Sequence, residues 1–431
     1  MPEDEEQPLL IGKSGVRKTA IVEGLALRVA DAIRSRPGVR EPERRWKVQV
    51  SLFRCRHGGR EPTVMSSVAS QAGLIHLGMD TSNNAIVVAT LLPGQDSPAT
   101  DRIANEEAAI RRLIGRFADR SVLRVWYEAG PGGYELYRLL ASVGVACQVV
   151  APSLIPKGSS DKVKTDKRDS RRLARLGRAG ELTPVRVPSP AEEAVRDLAR
   201  ARDAMLADRK RAQQRLTAVL MRHGRIWRGA TYWTAAHRSW IAAQRFSEPA
   251  LASAIGYYRA TLAVREAELA ALEAELMPWA AREPLASPVA RLGCYRGIAE
   301  LGGLTMAAEV VDWRRFPAAR AFMGWTGLVP AEYSSGERTR RGHITKAGSE
   351  PVRTALIEAA WAYRFQPAIG AGLRRRQAGA GPDTLARSWK AQRRLHDRYV
   401  HLVHAGGKAA PEAAVAVARE LAGFVWAEMT A

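Results

Sequence analysis

Residues 74–92 read Leu74-Ile75-His76-Leu77-Gly78-Met79-Asp80-Thr81-Ser82-Asn83-Asn84-Ala85-Ile86-Val87-Val88-Ala89-Thr90-Leu91-Leu92. Two apolar runs of strand length flank a short polar turn, the pattern of paired strands. The first run ends on a carboxylate, Asp80. A third run, Val122 to Glu128, ends on another. Asp166 and Asp169 stand three apart at the start of a helical stretch, so both face the same way. A single carboxylate is most often a solvated surface group. Two at strand ends, opposed by a helical pair, make a hard-oxygen set suited to Mg²⁺ shared with a phosphodiester.

Working outward, residues 72–188 alternate strand-like and helical segments, which predicts an α/β domain. A charged helix is expected over Glu106 to Asp119, a turn at Gly130-Pro131-Gly132-Gly133, and a helix near Tyr134–Val143. A buried strand is expected over Val145 to Val150. The segment Lys157 to Arg178 then holds nine Lys/Arg against three Asp. Lys157, Lys162, Lys164, Lys167 and Arg168 flank the acidic pair, where they can neutralise phosphate. The rest of that run reads equally well as a solvated helix face.

From 189 to 285 the pattern becomes long helix. Ser189-Pro190-Ala191-Glu192 supplies an N-cap, a first-turn proline and a capping-box glutamate. Val195, Leu198, Met205, Ala212, Leu216 and Val219 fall on heptad core positions, interrupted by Arg202 and Arg209. Leu262, Leu269, Leu272 and Leu276 repeat the spacing on a second helix. An intramolecular hairpin and a dimerising coiled coil fit equally. Residues 290–370 read as a compact helical module with a polar insert. Its Gly297 to Thr305 stretch, ahead of a helix from Met306 to Val311, resembles a helix-hairpin-helix whose turn amides can meet phosphate. Residues 371–431 form a helical tail, with eight Lys/Arg against two Asp between Arg374 and Arg398.

The first 64 residues differ. Gly12-Lys13-Ser14-Gly15-Val16-Arg17-Lys18-Thr19 resembles the phosphate loop of a Clp-type AAA+ ATPase, with Arg17 where the second glycine belongs. A bulky side chain there hinders the backbone from curling around phosphate. We read 1–64 as an ATPase-like fragment or non-native extension.

The chain of 431 residues carries a formal charge of +22, with an isoelectric point near 10.5. That balance calls for a polyanionic partner. No apolar stretch reaches the ~20 residues of a spanning helix, so nucleic acid is favoured over membrane. Three widely spaced cysteines, Cys55, Cys147 and Cys294, suggest neither a zinc site nor a disulfide framework, and fit a reducing compartment.

Tyr127-Glu128-Ala129-Gly130-Pro131, Val149 to Pro156, and Lys164-Thr165-Asp166-Lys167-Arg168-Asp169 resemble the DEDD domain of the IS one-ten family of insertion-sequence transposases. Gly327 to Gly336 and Ile344-Thr345-Lys346-Ala347-Gly348 resemble that family's C-terminal domain. The resemblance implies an RNase-H-like (RuvC-like) domain in which Asp80, Glu128, Asp166 and Asp169 hold Mg²⁺. A helical coiled-coil insertion follows, then a mostly helical domain with a nucleophilic serine. The serine maps to Ser335, with Ser334 as alternate; Arg338, Arg340, Arg341 and Lys346 are placed to clamp phosphate. The resemblance also implies donor and target DNA, a structured guide RNA, a dimer or tetramer, and a bacterial cytoplasmic, nucleoid-associated location. Two alternatives remain at this stage: a Holliday-junction-resolvase-like Mg²⁺ endonuclease using water, and a non-catalytic nucleic-acid-binding protein.

Overall fold

The structure, a computed structural model, describes residues 73–156, 165–332 and 340–431, without the side chain of Arg341. The ATPase-like segment, Lys157, Lys162, Lys164, Ser334, Ser335 and Arg338 lie outside those residues.

Strand β1 (Ile75–Thr81) turns back into β2 (Ala85–Leu91), antiparallel with Met79 opposite Val88. Ser82 closes the turn, its hydroxyl donating to the Ala85 carbonyl at 2.8 Å. β3 (Ala99–Ala104) adds antiparallel to β2. β4 (Leu123–Glu128) lies parallel to β1, and β5 (Ala146–Val150) parallel to β4, in the order β3-β2-β1-β4-β5. Parallel neighbours need crossovers. Helix α1 (Glu107–Ile114) leads to β4 and α2 (Glu135–Ser142) leads to β5.

Strand alternation gives the sheet two faces. Leu77, Met79, Val125 and Tyr127 turn toward Ile110, Leu113 and Leu140 of α1 and α2, forming one core. The opposite face carries Trp126 and Val150, packed on Leu173 of α3 (Asp166–Ala179).

One strand has no counterpart among the expected elements, and two local expectations change. β3 has no apolar alternation and is exposed at four of six positions, because an edge strand pairs through its backbone. The helix expected to reach Asp119 stops at Ile114 and is capped by Gly115. The strand over 145–150 lies at the other edge, and within β5 only Val149 and Val150 are fully buried.

The long helices pair within the chain. α4 (Pro190–Arg222) begins at Ser189 with the complete capping box. After the short α5 (Ala235–Ala243), α6 (Pro249–Ala280) runs back antiparallel. Val195 and Ala199 meet Leu276 and Ala280, while Leu216, Val219 and Leu220 meet Ile255 and Leu262. Each such Leu or Ile burial contributes about 1.5–3 kcal/mol. Arg202, which breaks the apolar seam, donates to Glu273 at 2.9 Å. The two helices form a hairpin within the chain, which buries the heptad positions Val195, Ala212, Leu216, Val219, Leu262 and Leu276.

The C-terminal region is mostly helical: α7 (Ala286–Gly293), α8 (Glu300–Val310), α9 (Ala319–Trp325), α10 (Glu350–Ala360), α11 (Ala371–Arg376), α12 (Pro382–Val400) and α13 (Ala410–Thr430). A two-stranded hairpin, β6 (Pro330–Glu332) with β7 (Arg341–Ile344), projects from it. α8 starts at Glu300, six residues before the expected Met306, so Gly302 and Gly303 lie inside it. Gly297, at φ 87°, is pressed against α10, where a Cβ would overlap the Ala359 carbonyl. One core joins Met306, Val352, Leu356, Leu395, Val417, Leu421 and Val425. Among the described residues no helix is long and apolar enough to cross a membrane.

Candidate active site

Two glycines set the geometry of the acidic end of the sheet. A Cβ on Gly78 would overlap the Ser170 carbonyl and the Ala174 amide, so α3 crosses β1 in direct backbone contact. A Cβ on Gly177 would overlap the Trp126 indole. Gly78 and Trp126 therefore both face α3, and they are register partners on parallel strands. Two residues further on, Asp80 and Glu128 share that face. They are the next residues after the last register pair of the two strands, Met79 opposite Tyr127.

The direction of α3 follows from its other end. Arg178 donates to the Gln95 carbonyl, beyond the end of β2 and hence beside the start of β1. The first turn of α3 therefore lies at the Asp80 end. Thr165 caps it, accepting from the Arg168 amide at 3.3 Å. Asp166 is exposed, while Asp169 is half-buried and its Oδ2 is buried without a hydrogen-bond partner. Lys167 and Arg168 are exposed beside them.

The four acids thus come from three elements, the ends of β1 and β4 and the first turn of α3. They form no closed cage: among the described residues no three His, Cys, Asp or Glu side chains stand together as a metal site. A cavity of about 490 Å³ opens beside Glu128, lined also by Thr81, Asn105, Tyr127, Glu135 and Arg138. It lies at the carboxyl edge of the parallel strands, where open α/β sheets bind ligands. It does not reach Asp80, Asp166 or Asp169. A buried carboxylate oxygen without a donor is costly unless a cation or proton satisfies it, so the Asp169 oxygen fits a divalent cation.

The serine motif falls between β6 and β7, outside the described residues, but the base of that hairpin is visible. Thr345 donates to the Val329 carbonyl at 2.9 Å and Lys346 to the Gly327 carbonyl at 3.1 Å. Lys346 takes a left-handed φ of 54°, uncommon for a residue with a side chain. Arg353 Nη1 ties the two sides together, donating to the Thr326 and Ala347 carbonyls, each at 3.1 Å. Arg340 is exposed on the β7 side.

Just beyond, Ser349 Oγ donates to Glu309 Oε2 at 3.0 Å, and Arg200 of α4 grips the same carboxylate at 2.6 and 3.2 Å. The buried Glu309 therefore joins the hairpin base to the long-helix arm. Sequence reading passed over Glu309, Arg200, Ser349 and Arg353. A lone acid inside the apolar run Met306-Ala307-Ala308-Glu309-Val310-Val311 was the available signal, since buried charge demands a partner.

Comparison with known proteins supplies the family. The family model for the DEDD transposase domain of IS110-type elements matches residues 77–224. The one described as transposase IS116/IS110/IS902 family matches residues 290–371. The putative transposase y4qE of Sinorhizobium fredii is 41% identical over 355 residues, covering 81% of this chain and 87% of that one. The transposase for insertion sequence element IS1533 of Leptospira borgpetersenii is 31% identical over 334 residues, covering 76% and 96%. The putative transposase y4rJ of Sinorhizobium fredii is 28% identical over 357 residues, covering 75% and 89%.

The class is therefore a transposase, an enzyme acting on DNA. The chain belongs to the IS110/IS116/IS902 family of insertion-sequence transposases, the IS one-ten group that its motifs resemble.

Proposed function

We propose that this transposase cuts and rejoins DNA strands with Mg²⁺ held by Asp80, Glu128, Asp166 and Asp169, and with Ser335 as nucleophile. Ser334 is the alternate. The metal assignment is supported by Asp80 and Glu128, which follow the last register pair of neighbouring parallel strands, Met79 with Tyr127, on the sheet face that α3 crosses at Gly78. It is supported also by Asp169 in the first turn of α3, which keeps a buried oxygen unpartnered. The sheet order β3-β2-β1-β4-β5 supports an RNase-H-like reading of residues 72–188, with 189–285 as the arm and 290–370 as the serine domain. Residues 371–431 complete the helical region.

Bound Mg²⁺ would polarise the scissile phosphate and stabilise the leaving oxygen. A serine hydroxyl is a weak nucleophile that needs activation. Its oxygen forms one P–O bond as the strand's P–O bond breaks; the serine proton leaves and the strand end departs as a hydroxyl. The reverse exchange restores the strand without ATP. Arg338, Arg340, Arg341 and Lys346 clamp phosphate oxygens, while Lys157, Lys162, Lys164, Lys167 and Arg168 bring nucleic acid to the acids. A structured guide RNA is the second polyanion, and a dimer or tetramer holds donor and target together. Residues 1–64 contribute nothing to exchange.

Trapping tests this directly. A reaction stopped midway should leave DNA covalently attached to a peptide containing Ser334 and Ser335, and Ser335→Ala should remove both adduct and exchange. Full exchange by the Ser334→Ala, Ser335→Ala double variant would leave water as the attacking group and refute the covalent route.

A further inference from the structure

We propose that a groove along α4 binds a short run of unpaired DNA nucleotides. Between Asp208 and Glu248 the chain holds nine Lys/Arg and no Asp or Glu. Within that stretch and just before it, Leu206, Lys210, Gln213, Thr217 and Met221 recur every three or four residues, so they share one helix face. Ala212, Leu216, Val219 and Leu220 occupy a different face, turned toward α5 and α6. The first face, about 22 Å long from Leu206 to Met221, forms the floor of an open groove of about 760 Å³. Arg209, Lys210, Gln213, Gln214, Tyr232 and Trp233 are among its lining residues.

The aromatic end is pre-built. His237 is 1% exposed and meets Tyr232 and Trp233 edge-on, with ring centroids 4.9 and 5.0 Å away at 71° and 82°. The Trp233 amide donates to His237 Nδ1 at 2.9 Å, with Trp233 at φ 65°. A left-handed tryptophan is strained backbone, the kind of feature that clusters at ligand clamps. Burial, with Arg238 nearby, holds the His237 ring below its usual pKa, so it stays a neutral acceptor at neutral pH. Tyr232 is nevertheless 46% exposed. Arg209 Nε is buried and has no hydrogen-bond partner.

This combination selects its occupant. Cations suit phosphates, flat rings suit base faces, and the two glutamines suit base edges. A duplex hides its base faces, so the strand must be unpaired. Glu358, the one acid on the wall, repels phosphate but accepts from an exocyclic amine. A second copy of the chain would bring like charge against like. An acidic peptide would leave the rings and amides unused. The chain acts on DNA, and cutting and rejoining strands exposes unpaired ends. The groove depends on neither the acidic quartet nor the serine.

The test is fluorescence anisotropy of the full chain with one mixed-sequence oligonucleotide, offered as single-stranded DNA, as duplex DNA and as single-stranded RNA. Tyr232→Ala should weaken single-stranded DNA roughly 5- to 100-fold, the loss of one stacked base, and leave the duplex within about twofold. Tyr232→Phe should bind as the parent does, which separates stacking from folding. Lys210→Gln should lower the salt slope for the single strand by about 0.7, one phosphate contact. Asp80→Ala should bind the single strand normally even when strand exchange is lost, so the groove and the metal site can fail separately. Equal losses on duplex and single strand, no loss at all, or a loss confined to RNA would each overturn the proposal.

Discussion

Two carboxylates, one fully buried and one half-buried, stand in contrast. Glu428 of α13 is fully buried and saturated. Arg387 donates at 2.6 Å, Thr384 at 2.8 Å, Arg291 at 3.0 Å and the Tyr295 hydroxyl at 3.3 Å. Asp169, at the acidic end of the sheet, keeps an oxygen that is equally out of water and has no donor. Burial alone would raise the Glu428 pKa; the hydrogen bonds from Arg387, Thr384 and Arg291 outweigh it and hold the carboxyl down at about 2. A satisfied buried acid braces a fold. An unsatisfied one calls for an explanation, and the proposed Mg²⁺ site supplies one for Asp169.

The largest expected difference between the two regions is in chemistry. Asp80→Ala should lower strand exchange at least about a hundredfold, the scale of removing one transition-state-stabilising group. DNA binding and the melting temperature should stay near the parent's. Undiminished exchange with Mg²⁺ as the only metal would remove the quartet from the active site.

Stability should respond in the reverse order. Glu428→Ala should cost about 2–4 kcal/mol in chemical denaturation, because two part-buried arginines lose their counter-ion. A folded pKa depressed below the unfolded one gives stability that is present above the unfolded value and lost below it. The Glu428 contribution should therefore hold above about pH 4.5 and fade as pH falls toward 2. Denaturation midpoints measured across that window, parent against variant, should converge at the acid end.

Gly78 links the two kinds of effect. Gly78→Ala places a methyl where the Ser170 carbonyl lies, and overpacking of this kind costs about 3 kcal/mol or more. Loss of exchange and of stability together is the expected outcome. A variant that keeps both would mean that α3 does not need its close crossing of β1. The smallest effect is expected at Asp169 itself. Asp169→Ala should change stability by no more than about 1 kcal/mol, since it removes an unsatisfied oxygen along with a favourable first-turn charge. A cost as large as that of Glu428→Ala would show that Asp169 is braced, and the contrast would fall.

The same contrast explains what the sequence could reveal. β1, β2 and β4, the capping box at Ser189 and the apolar seams of α4 and α6 are local patterns, and each was legible. The four acids were legible as strand-end and helix-start positions. β3 was not, because a polar edge strand is held by backbone pairing that leaves no periodicity. Glu428 was not, because Arg291, Thr384 and Arg387 are brought to it only by packing of α7, α12 and α13. Gly78 carried no signal of its own; only the crossing helix shows why a side chain is excluded there.

The most direct test of an open acidic site beside a closed one is Mg²⁺-dependent thermal unfolding, with the same short DNA duplex present throughout. The parent should gain about 2–4 °C on adding Mg²⁺, as for a ligand that binds the folded state alone. Glu428→Gln should melt lower yet show the same gain, while Asp80→Ala and Asp169→Ala should show none. A gain of equal size in the two aspartate variants would contradict the assignment of Mg²⁺ to the acidic end of the sheet.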